Sequence, residues 1–201
     1  LMTKDATIRE IHHRVKNNLQ TVSALLRLQS RRSSEEAVKV ALAEAERRVQ
    51  AIATVHAALS QNVDESVDFD EVARTIVRMA GAIASTDHSV EVITTGSFGT
   101  IQADQAQALA TVLNELVANS VEHGLADRDG LIEVRAEREG TSMTVTVADD
   151  GVGFVPGTPM SGLGTQIVHQ MVRGELKGSI EWTPREGGGT LVTLHANLDP
   201  A

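Results

Sequence analysis

Apolar side chains recur every three or four residues from Ile8 onward. With Ile8 at heptad position a, the a and d sites hold Ile8, Ile11, Val15, Asn18, Val22 and Leu25, and Leu19 and Leu26 widen the stripe. This period predicts an amphipathic bundle helix. The stripe stops at the polar stretch SRRSSEE, where Ser34 is suited to cap a second helix. A second stripe then carries Val38, Leu42, Ala45, Val49, Ile52, Val55 and Leu59. So short a connection lays the two helices antiparallel. A lone hairpin buries little, so a second copy is expected to complete a dimeric four-helix bundle.

After QNVDESVDFD the pattern changes to mixed helix and strand. A helix is expected from about Asp70 to Ala84, a strand over SVEVITTG and a long helix from Asp104 to His123. Two strands with alternating or β-branched character follow, LIEVRAERE and SMTVTVAD. Then come a glycine-rich loop, a helix around Gly164 to Leu176, and the strands GSIEWTP and TLVTLHANL. This order predicts an α+β protein in which the hairpin precedes an α/β sandwich with helices on one face of a mixed sheet.

Charge sharpens the division. The formal net charge of −9 is unevenly spread, because residues 1–62 carry ten Lys/Arg against six Asp/Glu and residues 63–201 carry eight against 21. A boundary is therefore expected near Asn62, giving domains 1–62 and 63–201. An acidic domain in a chain with one Trp, no Tyr and three Phe is poorly equipped to grip nucleic acid directly. There is no cysteine, hence no disulfide or thiolate metal site. No apolar run approaches the roughly 20 residues of a membrane helix, so the expectation is a cytoplasmic chain with no membrane segment. A helix under way so close to the first residue is expected of a piece of something larger.

Four stretches of the acidic half can carry chemistry. In NELVANSVEH, Glu115 and Asn119 stand four residues apart and share a helix face, where carboxylate and amide oxygens suit Mg2+. An ordinary polar surface helix carries such pairs too. In DDGVGF, Asp149 closes a strand and can accept a hydrogen bond, while the glycines let backbone approach a ligand. In SGLGTQIV, Gly162 and Gly164 precede a helix whose free N–H groups favour an anion. GGGT, ending in Thr190, leads into the last strand.

In this order the four stretches resemble the N, G1, G2 and terminal glycine boxes of the GHKL ATP-binding superfamily, which includes gyrase, Hsp90, MutL and histidine kinases. The resemblance covers about residues 68–197 and implies the Bergerat fold, ATP and Mg2+ as cofactors, and a lid near FVPGTPMSG. It implies Asn119 as the Mg2+ ligand, with Glu115 beside it, and Asp149 as acceptor of the adenine amino group. Gly151 and Gly153 would line the base pocket and Gly162 and Gly164 the phosphates, with His123, Leu163, Thr165 and Thr190 alongside.

The first segment indicates a branch. HRVKNNLQ followed by RRVQAIATVHAALSQ resembles the dimerisation and phosphotransfer hairpin of the second histidine-kinase type, related to the HWE kinases. The HWE branch proper has His where Asn114 stands and a Trp-x-Glu absent here, so membership there is rejected. Within the wider group the chain resembles the actinobacterial PdtaS-type sensor kinases. That implies a homodimer that phosphorylates itself on histidine and passes the phosphoryl group to an aspartate of a response-regulator receiver domain, of ANTAR type in those systems.

Heptad position separates the two adjacent histidines. His12 falls at e beside Leu19 and Leu26, whereas His13 falls at f with Gln20 and Arg27, facing solvent. A nucleophile that meets a nucleotide and then a partner's aspartate has to be exposed, so His13 is expected to be the phosphoacceptor, matching the family's His-Arg-x-Lys-Asn box. Free imidazole, with a pKa of about 6.5, is largely neutral and nucleophilic at pH 7. The commonest histidine kinases have an acid directly after the acceptor; here Arg14 follows, leaving Glu10 and Asn17, one turn either side, to orient the ring. Many kinases have Lys where Glu122 stands. Glu115 sits where gyrase-like ATPases keep a water-activating carboxylate, which supports a rival reading as an ATPase or ATP-gated clamp. A nucleotide-sensing module without turnover is a third reading.

Overall fold

The structure is a computed structural model describing residues 4–62, 65–82, 88–158 and 162–200. Helix α1 (Lys4–Arg32) and helix α2 (Glu36–Leu59) form the hairpin. The turn between them is braced by Ser33 rather than Ser34: the Ser33 hydroxyl accepts from the Glu35 N–H at 3.2 Å, and α2 starts without a side-chain cap.

Polar contacts define the seam of the hairpin. Gln50 Nε2 donates to Ser23 Oγ at 2.8 Å, Arg27 Nε donates to Glu46 at 2.9 Å, and the Nδ1 atoms of His12 and His56 lie 3.0 Å apart. The covered row of α1 is thus His12, Leu19, Ser23 and Leu26. The neighbouring row is open, with Ile11 52% and Leu25 56% exposed alongside Val22 and Leu28. The broad stripe therefore serves two faces, one of them covered by α2. Helix α2 also has two packed faces, since Ala51, Val55 and Leu59 are buried toward the helices that follow.

The second part begins with strand β1 (Ser66–Asp68) and helix α3 (Phe69–Gly81), whose first turn is capped by Asp68, accepting from Asp70 N. Ala84, the expected helix end, lies outside the described residues. Strand β2 (Val90–Gly96), strand β3 (Thr100–Gln102) and helix α4 (Ala103–Asn119) follow. Strands β4 (Gly130–Glu139) and β5 (Ser142–Asp149), helix α5 (Leu163–Gly174), and strands β6 (Ser179–Pro184) and β7 (Thr190–Asn197) complete the chain.

The main sheet has the order β2-β4-β5-β7-β6, with β2 and β4 parallel and the other pairs antiparallel; β1 and β3 form a separate antiparallel pair. Alternation decides its faces. Ile132, Val134, Ala136, Met143, Val145, Val147, Val192 and Leu194 point into one core with α3, α4 and α5. The other face carries Glu133, Arg135, Glu137, Thr144 and Thr146. The fold is thus a helical hairpin followed by a two-layer α/β sandwich.

The long helix does not stay α-helical to His123. Its last turn, Ser120–Leu125, widens into a π-helix and ends on Ala126 and Asp127 with φ of 41° and 62°. Single π turns recur at functional sites because they re-aim backbone. Here the extra residue brings Gly124 against the end of β5, where its carbonyl accepts from Val152 N at 2.8 Å.

Candidate functional site

The end of β5 makes one pole of a cavity of about 470 Å³. Asp149 is only 2% exposed there, and its Oδ1 accepts from Gly151 N at 3.0 Å and Thr190 N at 3.3 Å. Burial pushes this carboxyl above the usual aspartate range, opposed by those two N–H groups and by the Ser120 hydroxyl. Only glycine fits at 151, because a Cβ would strike the Gly124 carbonyl. Gly153, Phe154, Trp182, Thr190 and Val192 continue the wall, giving a slot with apolar sides and a carboxylate at its base. Such a slot suits a flat heteroaromatic ring with an amino group to donate.

At the other pole, α4 presents Glu115 and, one turn later, Asn119, both lining the cavity. They do not meet as a free pair. Glu115, 2% exposed, gives both oxygens to Arg48 of α2: Nε donates to Oε1 at 2.5 Å and Nη2 to Oε2 at 3.3 Å. This pairing holds the Arg48 guanidinium above its ordinary pKa, its hydrogen bond to Glu115 outweighing burial. Asn119 keeps its amide for the cavity. Gly164 closes over the ion pair, and a Cβ there would come 2.5 Å from Glu115 Oε2. Helix α5 begins at Leu163, so Leu163, Gly164 and Thr165 bring first-turn N–H groups to the wall, where the helix dipole favours an anion. Gly162 also lines the cavity but has extended backbone and open space around it, so its position demands no glycine. His123 lines the same pole and is exposed.

The hairpin itself supplies Glu44, Arg47 and Arg48 to this wall. Of the lid stretch, Phe154 and Thr158 reach the cavity, while residues 159–161 lie outside the described ones.

His13 stands on the exposed face of α1 and is not part of the cavity wall. Its neighbour His12 is half-buried against His56, ring centroids 5.2 Å apart. Burial, and then the charge on His12, depress the His56 pKa. Glu10 accepts from Arg14 Nε at 2.9 Å, and the Asn17 carbonyl accepts from Thr21 Oγ1 at 3.2 Å. Glu10 is therefore engaged by Arg14, and the Asn17 side chain is exposed.

Comparison with known proteins gives matches along most of the chain. A family model described as histidine kinase matches residues 10–83, and one described as histidine kinase-, DNA gyrase B- and HSP90-like ATPase matches residues 104–200. The sensor histidine kinase PdtaS of Mycolicibacterium smegmatis is 47% identical over 203 residues, covering 98% of this chain and 41% of the relative. The chain belongs to the histidine kinase family.

The PdtaS protein of Mycobacterium tuberculosis is likewise 47% identical over 199 residues, covering 96% of this chain and 40% of its own length. The chain thus spans about two fifths of these relatives. Among solved structures, the blue-light activated histidine kinase of Erythrobacter litoralis superposes with a TM-score of 0.70 at 25% identity, over 98% of this chain and 61% of that one.

Within this histidine kinase fold, the sequence-expected residues Glu115, Asn119, His123, Asp149, Gly153, Gly162, Leu163, Gly164, Thr165 and Thr190 share one cavity wall, and Gly151 abuts it through Asp149. His13, Glu10 and Asn17 lie apart from it on α1. Sequence reasoning missed Trp182, Arg47 and Arg48. The Arg pair had a signal, two adjacent cations on a helix whose apolar residues flank them on both sides, but the direction they face depends on how the hairpin docks.

Proposed function

We propose that the chain is the core of a two-component sensor kinase: ATP binds the cavity, His13 takes the γ-phosphoryl group, and a receiver-domain aspartate then takes it from His13. In this reading residues 1–62 are the dimerisation and phosphotransfer hairpin and residues 63–201 the catalytic ATP-binding domain. The observation that carries it is the pairing, in one chain, of an exposed imidazole on a hairpin with a cavity lined both by an apolar-sided slot over the buried Asp149 carboxylate and by a helix N-terminus.

The described residues fit this nucleotide. Asp149 accepts from the adenine amino group, the walls near Trp182 and Val192 cover the ring, and the first-turn N–H groups of α5 receive phosphate oxygens. Mg2+, when bound, offsets triphosphate charge, and Asn119 offers it an uncommitted amide oxygen. Glu115 is tied to Arg48, and joins Asn119 only if that ion pair opens.

In the transfer step a lone pair of the His13 ring attacks the γ-phosphorus in line. A P–N bond forms, the bond to the β,γ-bridging oxygen breaks, ADP leaves, and the remaining ring N–H releases its proton to solvent. The receiver carboxylate then attacks the same phosphorus and the P–N bond breaks. His12 meets His56 while Arg48 meets Glu115, so the histidine level lies about 12 Å along the stalk from the cavity wall, at a rise of about 1.5 Å per residue. His13 lies outside the cavity wall, so the histidine and the nucleotide have to be brought together before transfer, within one subunit or between two.

We also infer a homodimer, in which the open row Ile11, Val22, Leu25 and Leu28 of α1 packs against a second copy. A cytoplasmic location accords with the described helices, none of which is long and apolar enough to cross a membrane. An ANTAR-type response regulator is the partner class suggested by the likeness to PdtaS.

The ATPase reading relies on Glu115 activating water, and the engagement of both its oxygens by Arg48 counts against it. Incubation with γ-labelled ATP separates the readings. Protein-bound label that is acid-labile and base-stable supports the kinase; free phosphate without labelled protein supports the ATPase; bound, uncleaved ATP supports the sensing module.

A further inference from the structure

Arg47 is buried without the partners a buried guanidinium needs. Its side chain is 8% exposed, and its one polar partner among the described residues is Glu122, whose Oε1 lies 3.6 Å from Nη1. That is beyond hydrogen-bond reach. Its Nε is shut off from solvent with no acceptor. The adjacent Arg48 provides the contrast, spending two hydrogen bonds on Glu115.

Leaving the Nε donor of a buried guanidinium unsatisfied, with its nearest carboxylate beyond hydrogen-bond reach, is costly, and folded proteins usually saturate such groups with carboxylates or carbonyls. Arg47 lines the same cavity as Asn119, His123 and Thr165. The missing acceptor is therefore something that enters the cavity. Its chemistry follows from the walls: the carboxylates of Glu44, Glu115, Glu122 and Asp149 line the cavity, no lysine does so among the described residues, and Arg48 is already committed. A polyanion entering there meets Arg47 as the uncommitted arginine, and a planar guanidinium matches phosphate oxygens two at a time.

We propose that Arg47, contributed by the hairpin helix α2, binds the terminal phosphates of the nucleotide, so that the hairpin completes the nucleotide site of the catalytic domain. This rests on the reading of the cavity as an ATP site. Nucleotide binding then also fastens the domain to its stalk, because the base is held by β5 and β7 and the phosphates by α2. Glu122 is the competitor that holds Arg47 while the site is empty.

The test measures binding of Mg-ATP, Mg-ADP, adenosine and inorganic phosphate to the whole chain by calorimetry, for wild type, Arg47→Gln, Arg47→Lys and Glu122→Gln. Arg47→Gln weakens ATP by about tenfold or more, as expected for a lost charge-assisted contact, ADP by less, and adenosine not at all. Arg47→Lys recovers part of the loss. Glu122→Gln, which removes the carboxylate facing Arg47 at the cavity wall, tightens ATP more in the wild-type background than in Arg47→Gln. Unchanged ATP affinity in Arg47→Gln, an equal loss for ATP and adenosine, or tight binding of phosphate alone through Arg47 would each overturn the assignment. Wild type that binds none of the nucleotides would overturn the ATP reading itself, a result distinct from a failure of Arg47 alone.

Discussion

Arg48 of the hairpin and Glu115 of the sandwich form an ion pair across the junction between the two parts of the chain, Nε to Oε1 at 2.5 Å, with Glu115 almost wholly buried. Removing one partner strands a charge where water cannot reach it. Arg48→Ala is expected to cost about 3–5 kcal/mol in urea unfolding, the range for a broken buried pair. The double change Arg48→Met with Glu115→Gln recovers most of that loss. A single variant as stable as wild type would show that the two parts do not dock this way in solution.

The half-buried imidazole of His56 gives stability an acid limit. The His56 pKa is depressed in the folded state, so below its unfolded value the unfolded chain binds the extra proton and folding weakens. Stability therefore falls as the pH drops from about 6.5 toward the lower folded value, the unperturbed figure being that of free histidine. Unfolding midpoints measured between about pH 7.5 and pH 5.5 check this, and His56→Gln flattens that slope. An unaltered slope in the variant would assign the acid sensitivity elsewhere.

Asp149 offers a separation of binding from folding. Its ionised form is disfavoured by burial, so its charge weakens the folded state at neutral pH and the deficit shrinks as pH falls through the raised folded pKa toward the unfolded value. Asp149→Asn retains an oxygen for the Gly151 and Thr190 N–H groups, and is expected to melt at or above the wild-type temperature. It also turns a full carboxylate acceptor into an amide, so ATP affinity drops by about tenfold or more, the loss of a charge-assisted hydrogen bond. A variant that melts early would mean the carboxylate is structural.

Much of the sandwich was legible because alternation along β4, β5 and β7 and the helical period of α4 and α5 are local signals. Glu115, Asn119, Asp149 and Thr190 could be gathered into one site from the order of four short stretches. What the sequence could not convey is long-range. The π turn at Ser120–Leu125 follows from packing Gly124 against Asp149 and Gly151, contacts more than 20 residues apart in the chain. The same holds for Arg47 and Arg48: the heptad pattern placed the core of α2 on Val49, Ile52, Val55 and Leu59, while docking of the sandwich also buries Ala51 and turns the arginines inward. His13 was separable from His12 because their exposures differ on a single helix.

The open row on α1 predicts its own experiment. Leu25, 56% exposed here, is expected to be covered in a dimer, so Leu25→Glu should yield monomers at concentrations where wild type sediments as a dimer. Wild type that sediments as a monomer would remove the four-helix bundle from the account.

The central claim is that the phosphoryl group travels from ATP to His13. The chain is incubated with γ-labelled Mg-ATP, quenched at alkaline pH, and the label located in wild type, His12→Gln and His13→Gln. The account predicts acid-labile, base-stable label in wild type, much of it retained in His12→Gln and none in His13→Gln. Label that survives in His13→Gln and vanishes in His12→Gln would contradict it.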